Sequence, residues 1–179
     1  MMKNFLNNFL DELSAKIKAD SKLRSQLYQV RDILLRVSNN NKVIIVGNGA
    51  SSSIASHVSI DLTKGAGVRC VNFNEPNLLT CFGNDFGYDK WVEKAINYYG
   101  DKHDVLIAVS SSGQSENILN GCDAAREKGF ESIITLSGFK PNNPLRELGD
   151  VNLWIDSDNY NVIENVHQIW LLAVVELII

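Results

Sequence analysis

The chain has 179 residues, 45% of them hydrophobic and 21% charged, with a formal net charge of −4. These values suit one soluble domain that buries its own core, and the acidic balance argues against nucleic acid as a partner. Cys70, Cys81 and Cys122 are odd in number and lack metal-type spacing, so they read as core thiols in a reducing compartment rather than as a disulfide framework.

The start, Met1 to Phe5, lacks the apolar stretch and cleavage site of a signal peptide. Phe5, Leu6, Phe9, Leu10, Leu13 and Ile17 recur at helical spacing, as do Leu23, Leu27, Val30, Ile33 and Leu34, so the first forty residues predict two helices with Ser21 capping the second. From Lys42 onward, apolar runs at Val43 to Val46, Val68 to Phe73, Val105 to Val109, Ser132 to Leu136 and Val151 to Ile155 alternate with helical stretches. Those stretches are roughly Ser52 to Lys64, Tyr88 to Tyr98, Ser115 to Lys128, a turn near Pro144 to Leu148, and Val162 onward. Runs apolar on both faces and joined through helices predict an α/β fold, a doubly wound parallel sheet covered on both sides. Residues 1–179 read as a single domain, an N-terminal helical pair over 1–40 followed by the α/β core and C-terminal helix over 41–179. Ile169 to Ile179 is too short to cross a bilayer and contains Glu176, so it predicts a buried helix or a subunit interface and no membrane association.

In such a sheet, ligands bind beyond the carboxyl ends of the strands where the strand order reverses. The loops expected there are Gly47-Asn48-Gly49-Ala50-Ser51-Ser52-Ser53 and Ser110-Ser111-Ser112-Gly113-Gln114-Ser115. Each places hydroxyls at the start of a helix, an arrangement that binds an oxyanion and most often a phosphate. The first loop departs from the dinucleotide pattern G-x-G-x-x-G at Ser52, which argues against a nucleotide cofactor. For the second loop the competing reading is that Ser115 merely caps its helix.

With Gly83-Asn84-Asp85-Phe86-Gly87 between them, these loops resemble the sugar isomerase (SIS) domain, and within it the sedoheptulose-7-phosphate isomerase branch. The resemblance spans nearly the whole chain and implies a five-stranded sheet of flavodoxin-like order in a cytoplasmic homotetramer with active sites shared between subunits. It implies that Ser51, Ser110, Ser112 and Ser115 hold the sugar phosphate, with Gly49 and Ser111 in the same loops and Asn48, Asn84 and Asp85 near the sugar hydroxyls. The implied activity interconverts a ketose phosphate and an aldose phosphate through an enediolate, feeding heptose into surface polysaccharide such as lipopolysaccharide.

The catalytic candidates lie on two helices. His57 and Asp61 are four apart and share a helix face, and Glu164 and His167 are three apart. The family has Glu at the position of Asp61, Gln at that of Glu164, and a catalytic and metal-binding His at that of Leu172. Asp61 and Glu164 are expected to move protons, with His57 and His167 as acids or metal ligands. His57, Asp61 and Glu164 also form a candidate three-ligand site for zinc or a harder divalent ion. Because Leu172 breaks the family's set, a second expectation stands beside the enzyme: a non-catalytic phosphosugar-binding protein acting as a sensor or partner-binding module.

Overall fold

The computed structural model describes residues 2–179. Its elements run α1 (Met2–Ile17), α2 (Ser21–Leu35), β1 (Val43–Gly47), α3 (Ala50–Lys64), β2 (Cys70–Val71), α4 (Pro76–Phe86), α5 (Trp91–Tyr99), β3 (Val105–Val109), α6 (Glu116–Glu127), β4 (Ser132–Ser137), α7 (Leu145–Leu148), β5 (Val151–Trp154) and α8 (Tyr160–Glu176). The five strands form one sheet in the order β2-β1-β3-β4-β5, every pair parallel. This is the expected α/β architecture, with the order reversing between β1 and β3.

Strand periodicity divides the core into two layers. Val43, Ile45, Val105, Ile107 and Val109 face one layer with residues of α3 and α8. Ile44, Val46, Leu106 and Ala108 face the other, against α5 and α6. All residues of β1, β3 and β4 are buried, which is why these three strands read as uninterrupted apolar runs. The helical pair belongs to the first layer: Phe9, Leu13, Ile17 and Leu23 pack against it, beside Leu27, Val30 and Leu34.

Several local expectations are corrected. Asp20, not Ser21, caps α2, its carboxylate accepting from Leu23 N at 2.8 Å. The second run shrinks from Val68–Phe73 to the two residues Cys70 and Val71 at a sheet edge. Gly83 to Phe86 belong to α4, a helix absent from the expected elements. Burial pushes the Cys70 and Cys122 thiols up to about 12, leaving both unreactive at neutral pH, but Cys81 is exposed on α4 and is not a core thiol. Among the described residues, no helix is long and apolar enough to cross a membrane.

Candidate active site

The loops after β1 and β3 meet where the strand order reverses. The first turns into α3 through Gly49, whose φ of +55° is a left-handed conformation that glycine takes readily. The second turns through Gly113, φ +66°. Neither α3 nor α6 has a side-chain hydrogen bond at its N-cap. Ser115 Oγ instead receives a hydrogen bond from Ser110 Oγ at 3.0 Å, so capping does not account for the serines.

Between the loops lies a hollow of about 160 Å³ walled by Ser51, Ser110, Ser111, Ser112 and Ser115, with Asn48, Tyr160 and Glu164 at its sides. Ser111 Oγ is buried without a hydrogen bond of good geometry, although the Glu164 carboxylate lies near enough to feel its hydroxyl. A buried hydroxyl with no partner costs about 1–3 kcal/mol, and an oxygen of a bound ligand would relieve that cost. A larger cleft of about 500 Å³ lies between the α1–α2 turn and the end of β5, lined by Lys16, Lys18, Lys22 and Arg146, with the buried, unpartnered Trp154 Nε1 at its wall.

Gly113 sets the shape of the serine loop. A Cβ there would land on the side-chain amide of Asn143, a buried residue that donates to Lys140 O at 2.9 Å and Ser137 Oγ at 3.1 Å. Gly113→Ala is expected to destabilise the protein by about 2–4 kcal/mol, combining left-handed strain with overpacking. Denaturant unfolding measures this, and titration with inorganic phosphate should show lost binding.

Asn48 is held from three directions. Its amide exchanges reciprocal 2.9 Å hydrogen bonds with Asn117, and its Oδ1 also accepts from Tyr88 OH at 3.0 Å. Asn117, buried at the start of α6, was missed by the sequence reading, although its place just after the serine loop was a usable signal. Asn84 and Asp85 lie outside the hollow, exposed on α4, where Asn84 donates to Asp85 at 2.9 Å.

Glu164 lies at the serine hollow on α8. Partial burial raises its carboxyl above the usual carboxylate range, against the opposing influence of the nearby Ser111 hydroxyl. His57 and Asp61 sit farther along α3 as a pair, His57 Nε2 to Asp61 Oδ2 at 3.1 Å, with both side chains about half exposed. His57 Nδ1 meets Gln168 Nε2 of α8 at 3.1 Å. Glu164, Gln168 and Leu172, spaced four apart, share one face of α8.

His167 does not join them. It is fully buried, its Nε2 donates to Ser137 O at 3.2 Å, and burial lowers its pKa to about 4. The expectation of an acid or metal ligand at this position is corrected: the ring is buried under α8 against the sheet, outside the residues that wall the serine hollow.

The expected three-ligand site of His57, Asp61 and Glu164 is not assembled in this arrangement. Among the described residues, no three His, Cys, Asp or Glu side chains gather as a metal-binding group. Both ring nitrogens of His57 are engaged, Glu164 lies with the serines, and the face of α8 ends in the apolar Leu172, which packs against the core.

A model of the SIS domain family matches residues 8–138. The phosphoheptose isomerase of Helicobacter pylori strain P12 is 30% identical over 166 residues, 89% of this chain and 85% of its own length. The structure of a phosphoheptose isomerase from Neisseria gonorrhoeae superposes with a TM-score of 0.89 at 26% identity, covering 99% of each chain. One from Francisella tularensis gives 0.88 at 25% identity, covering 99% of this chain and 97% of its own.

Proposed function

The chain belongs to the SIS domain family, and from that premise we propose that it interconverts a ketose phosphate and an aldose phosphate, acting on sedoheptulose 7-phosphate as a phosphoheptose isomerase does. The observation that carries the reading is the serine hollow at the uncapped N-termini of α3 and α6, with the His57–Asp61 pair farther along the same helix.

Phosphate seats among Ser51, Ser110, Ser112 and Ser115, where hydroxyls and helix dipoles favour negative charge. His57 follows Ser51 by six residues, roughly 9 Å along the helix at about 1.5 Å per residue. A seven-carbon chain, with six C–C bonds of about 1.5 Å each, reaches across that interval. Its reducing end then lies at the pair while Glu164 flanks its middle.

Asp61 takes the proton from C1 of the ketose as the C2 carbonyl oxygen gains one, giving the enediol. Loss of the O1 proton and return of the carbon-bound proton to C2 complete the aldose. His57, hydrogen-bonded to Asp61, serves the oxygens, and Glu164, with its raised pKa, is the alternative proton carrier if the sugar sits nearer the serine hollow. Asn48 donates to a sugar oxygen. No step is routed through a metal, and none requires a nucleotide.

The reading extends to a cytoplasmic homotetramer that supplies heptose for surface polysaccharide, lipopolysaccharide included. The outward Phe5, Leu6 and Leu10 of α1, 74%, 57% and 50% exposed, support assembly. Three free cysteines support a reducing compartment. Asn84 and Asp85, exposed on α4, are then positioned to meet the sugar of a neighbouring subunit. Light scattering after size exclusion tests the assembly.

The deciding experiment pairs an isomerisation assay with calorimetric titration. Glu164→Gln is expected to lower kcat about a hundredfold, while tightening inorganic phosphate binding several-fold because a carboxylate leaves the anion site. In the native protein, phosphate binding should strengthen as pH falls through the raised pKa of Glu164. Leu172, an apolar side chain on the face that carries Glu164 and Gln168, favours a second reading, a phosphosugar sensor. Tight sugar phosphate binding with no turnover would establish the sensor instead.

A further inference from the structure

We infer that Gln168 is a positioning residue: its side-chain amide, reaching from α8, holds the His57 ring in place and thereby keeps the His57–Asp61 pair ready for proton transfer. The inference rests on the isomerase reading for its consequence in turnover, but not for its geometry.

An ionised carboxylate only accepts hydrogen bonds, so the ring nitrogen facing Asp61 Oδ2 at 3.1 Å, His57 Nε2, carries the hydrogen. In a neutral imidazole the other nitrogen is then an acceptor. His57 Nδ1 lies 3.1 Å from the Gln168 side-chain amide, and only the NH2 of that amide supplies the donor it needs. The three groups agree on one assignment: Gln168 Nε2–H to His57 Nδ1, and His57 Nε2–H to Asp61. Residues 57 and 61 share a face of α3, while 168 arrives from α8, so Gln168 is the tie that fixes the ring against both helices. Half-exposed side chains such as these otherwise sample several rotamers. The nearest further ionisable group on this face of α8 is Glu164, one turn toward the serine loops.

Gln168 leaves the phosphate loops untouched, so its removal should act on the chemical step rather than on binding. Gln168→Met keeps the volume and removes the donor. Gln168→Glu keeps the shape and turns the donor into an acceptor.

The test reads His57 directly by long-range proton–nitrogen NMR on protein labelled with 15N-histidine, its signals assigned by their loss in His57→Asn. The native protein should show the Nε2–H tautomer. In Gln168→Met the Nε2–H tautomer should persist, set by Asp61, but with exchange-broadened ring signals, and in Gln168→Glu, with a carboxylate on each side, both ring nitrogens should carry hydrogen. Turnover should fall about tenfold in Gln168→Met with KM within twofold, and Gln168→Asn should restore part of the ring order. An Nδ1–H tautomer in the native protein, or Gln168→Met leaving the spectrum unchanged, overturns the inference. If the native protein binds sugar phosphates without turnover, the isomerase reading fails while the spectra still decide the role of Gln168.

Discussion

Asp61→Asn is expected to lower kcat for ketose-to-aldose conversion by about a thousandfold with KM within about twofold, the scale of a lost general base. The change is isosteric, and the asparagine Oδ1 still accepts from His57 Nε2–H, so His57 stays held by its two neighbours. What disappears is the ability to take a proton from carbon. The companion variant Asp61→Glu lengthens the side chain by one methylene, about 1.5 Å, toward the carboxylate that the family carries there. Because displacements of about 1 Å can cost a hundredfold in rate, this variant reports on the seating of the sugar. Turnover equal to or above the native level means the native base works at the limit of its reach. A drop means the α3–α8 seam has closed around the shorter residue. If Asp61→Asn turns over normally while Glu164→Gln does not, the base is Glu164, and the substrate's reducing end lies nearer the serine hollow.

The division of labour among these side chains was only partly legible in the sequence, for physical reasons. Strands β1, β3 and β4 could be read because every one of their residues is buried, and a strand covered on both faces needs an unbroken apolar run. The edge strand β2 pairs on one side only, so two residues suffice where six had been expected. Helix α4 has no fully buried residue and touches the core only through the partly buried Leu78, Leu79 and Phe82, a stripe too short to stand out in the sequence. Its start was nonetheless encoded in Pro76 following Glu75, whose carboxylate accepts from Leu78 N at 2.9 Å. The serine loops were legible because clustered hydroxyls around a glycine have few other uses at a strand end. Gln168 was not, since a glutamine on a helix ordinarily points into water, and only the arrival of α3 beside α8 gives its amide a partner. His167 misled for the opposite reason: three residues from Glu164 it is a sequence neighbour, but the helix turns it toward the sheet.

That burial predicts a pH-dependent loss of stability. His167 has an ordinary pKa of 6.5 when unfolded and about 4 in the fold, because burial disfavours the imidazolium. Between those values the unfolded chain binds the proton and the folded chain does not, so stability is full above pH 6.5 and declines as pH falls toward 4. The shift corresponds to about 3 kcal/mol over the whole window, a substantial part of the 5–15 kcal/mol typical of a domain. Glu164 acts in the opposite sense, since its raised pKa lends stability at low pH that is lost as pH rises through the folded value. Its partial exposure makes this the weaker effect. Urea unfolding at intervals from pH 7.5 to 4.5, run in parallel on His167→Leu, isolates the histidine. Leucine removes Nδ1, which is buried without a partner, and it does not orphan Ser137 O, which also accepts from Ile155 N at 2.9 Å. At pH 7.5 the variant should therefore lie within about 1 kcal/mol of the native protein, and below pH 6.5 its stability should fall less steeply. Parallel curves for the two proteins would mean that His167 titrates normally, which a ring with no exposed atom cannot do without local opening of α8.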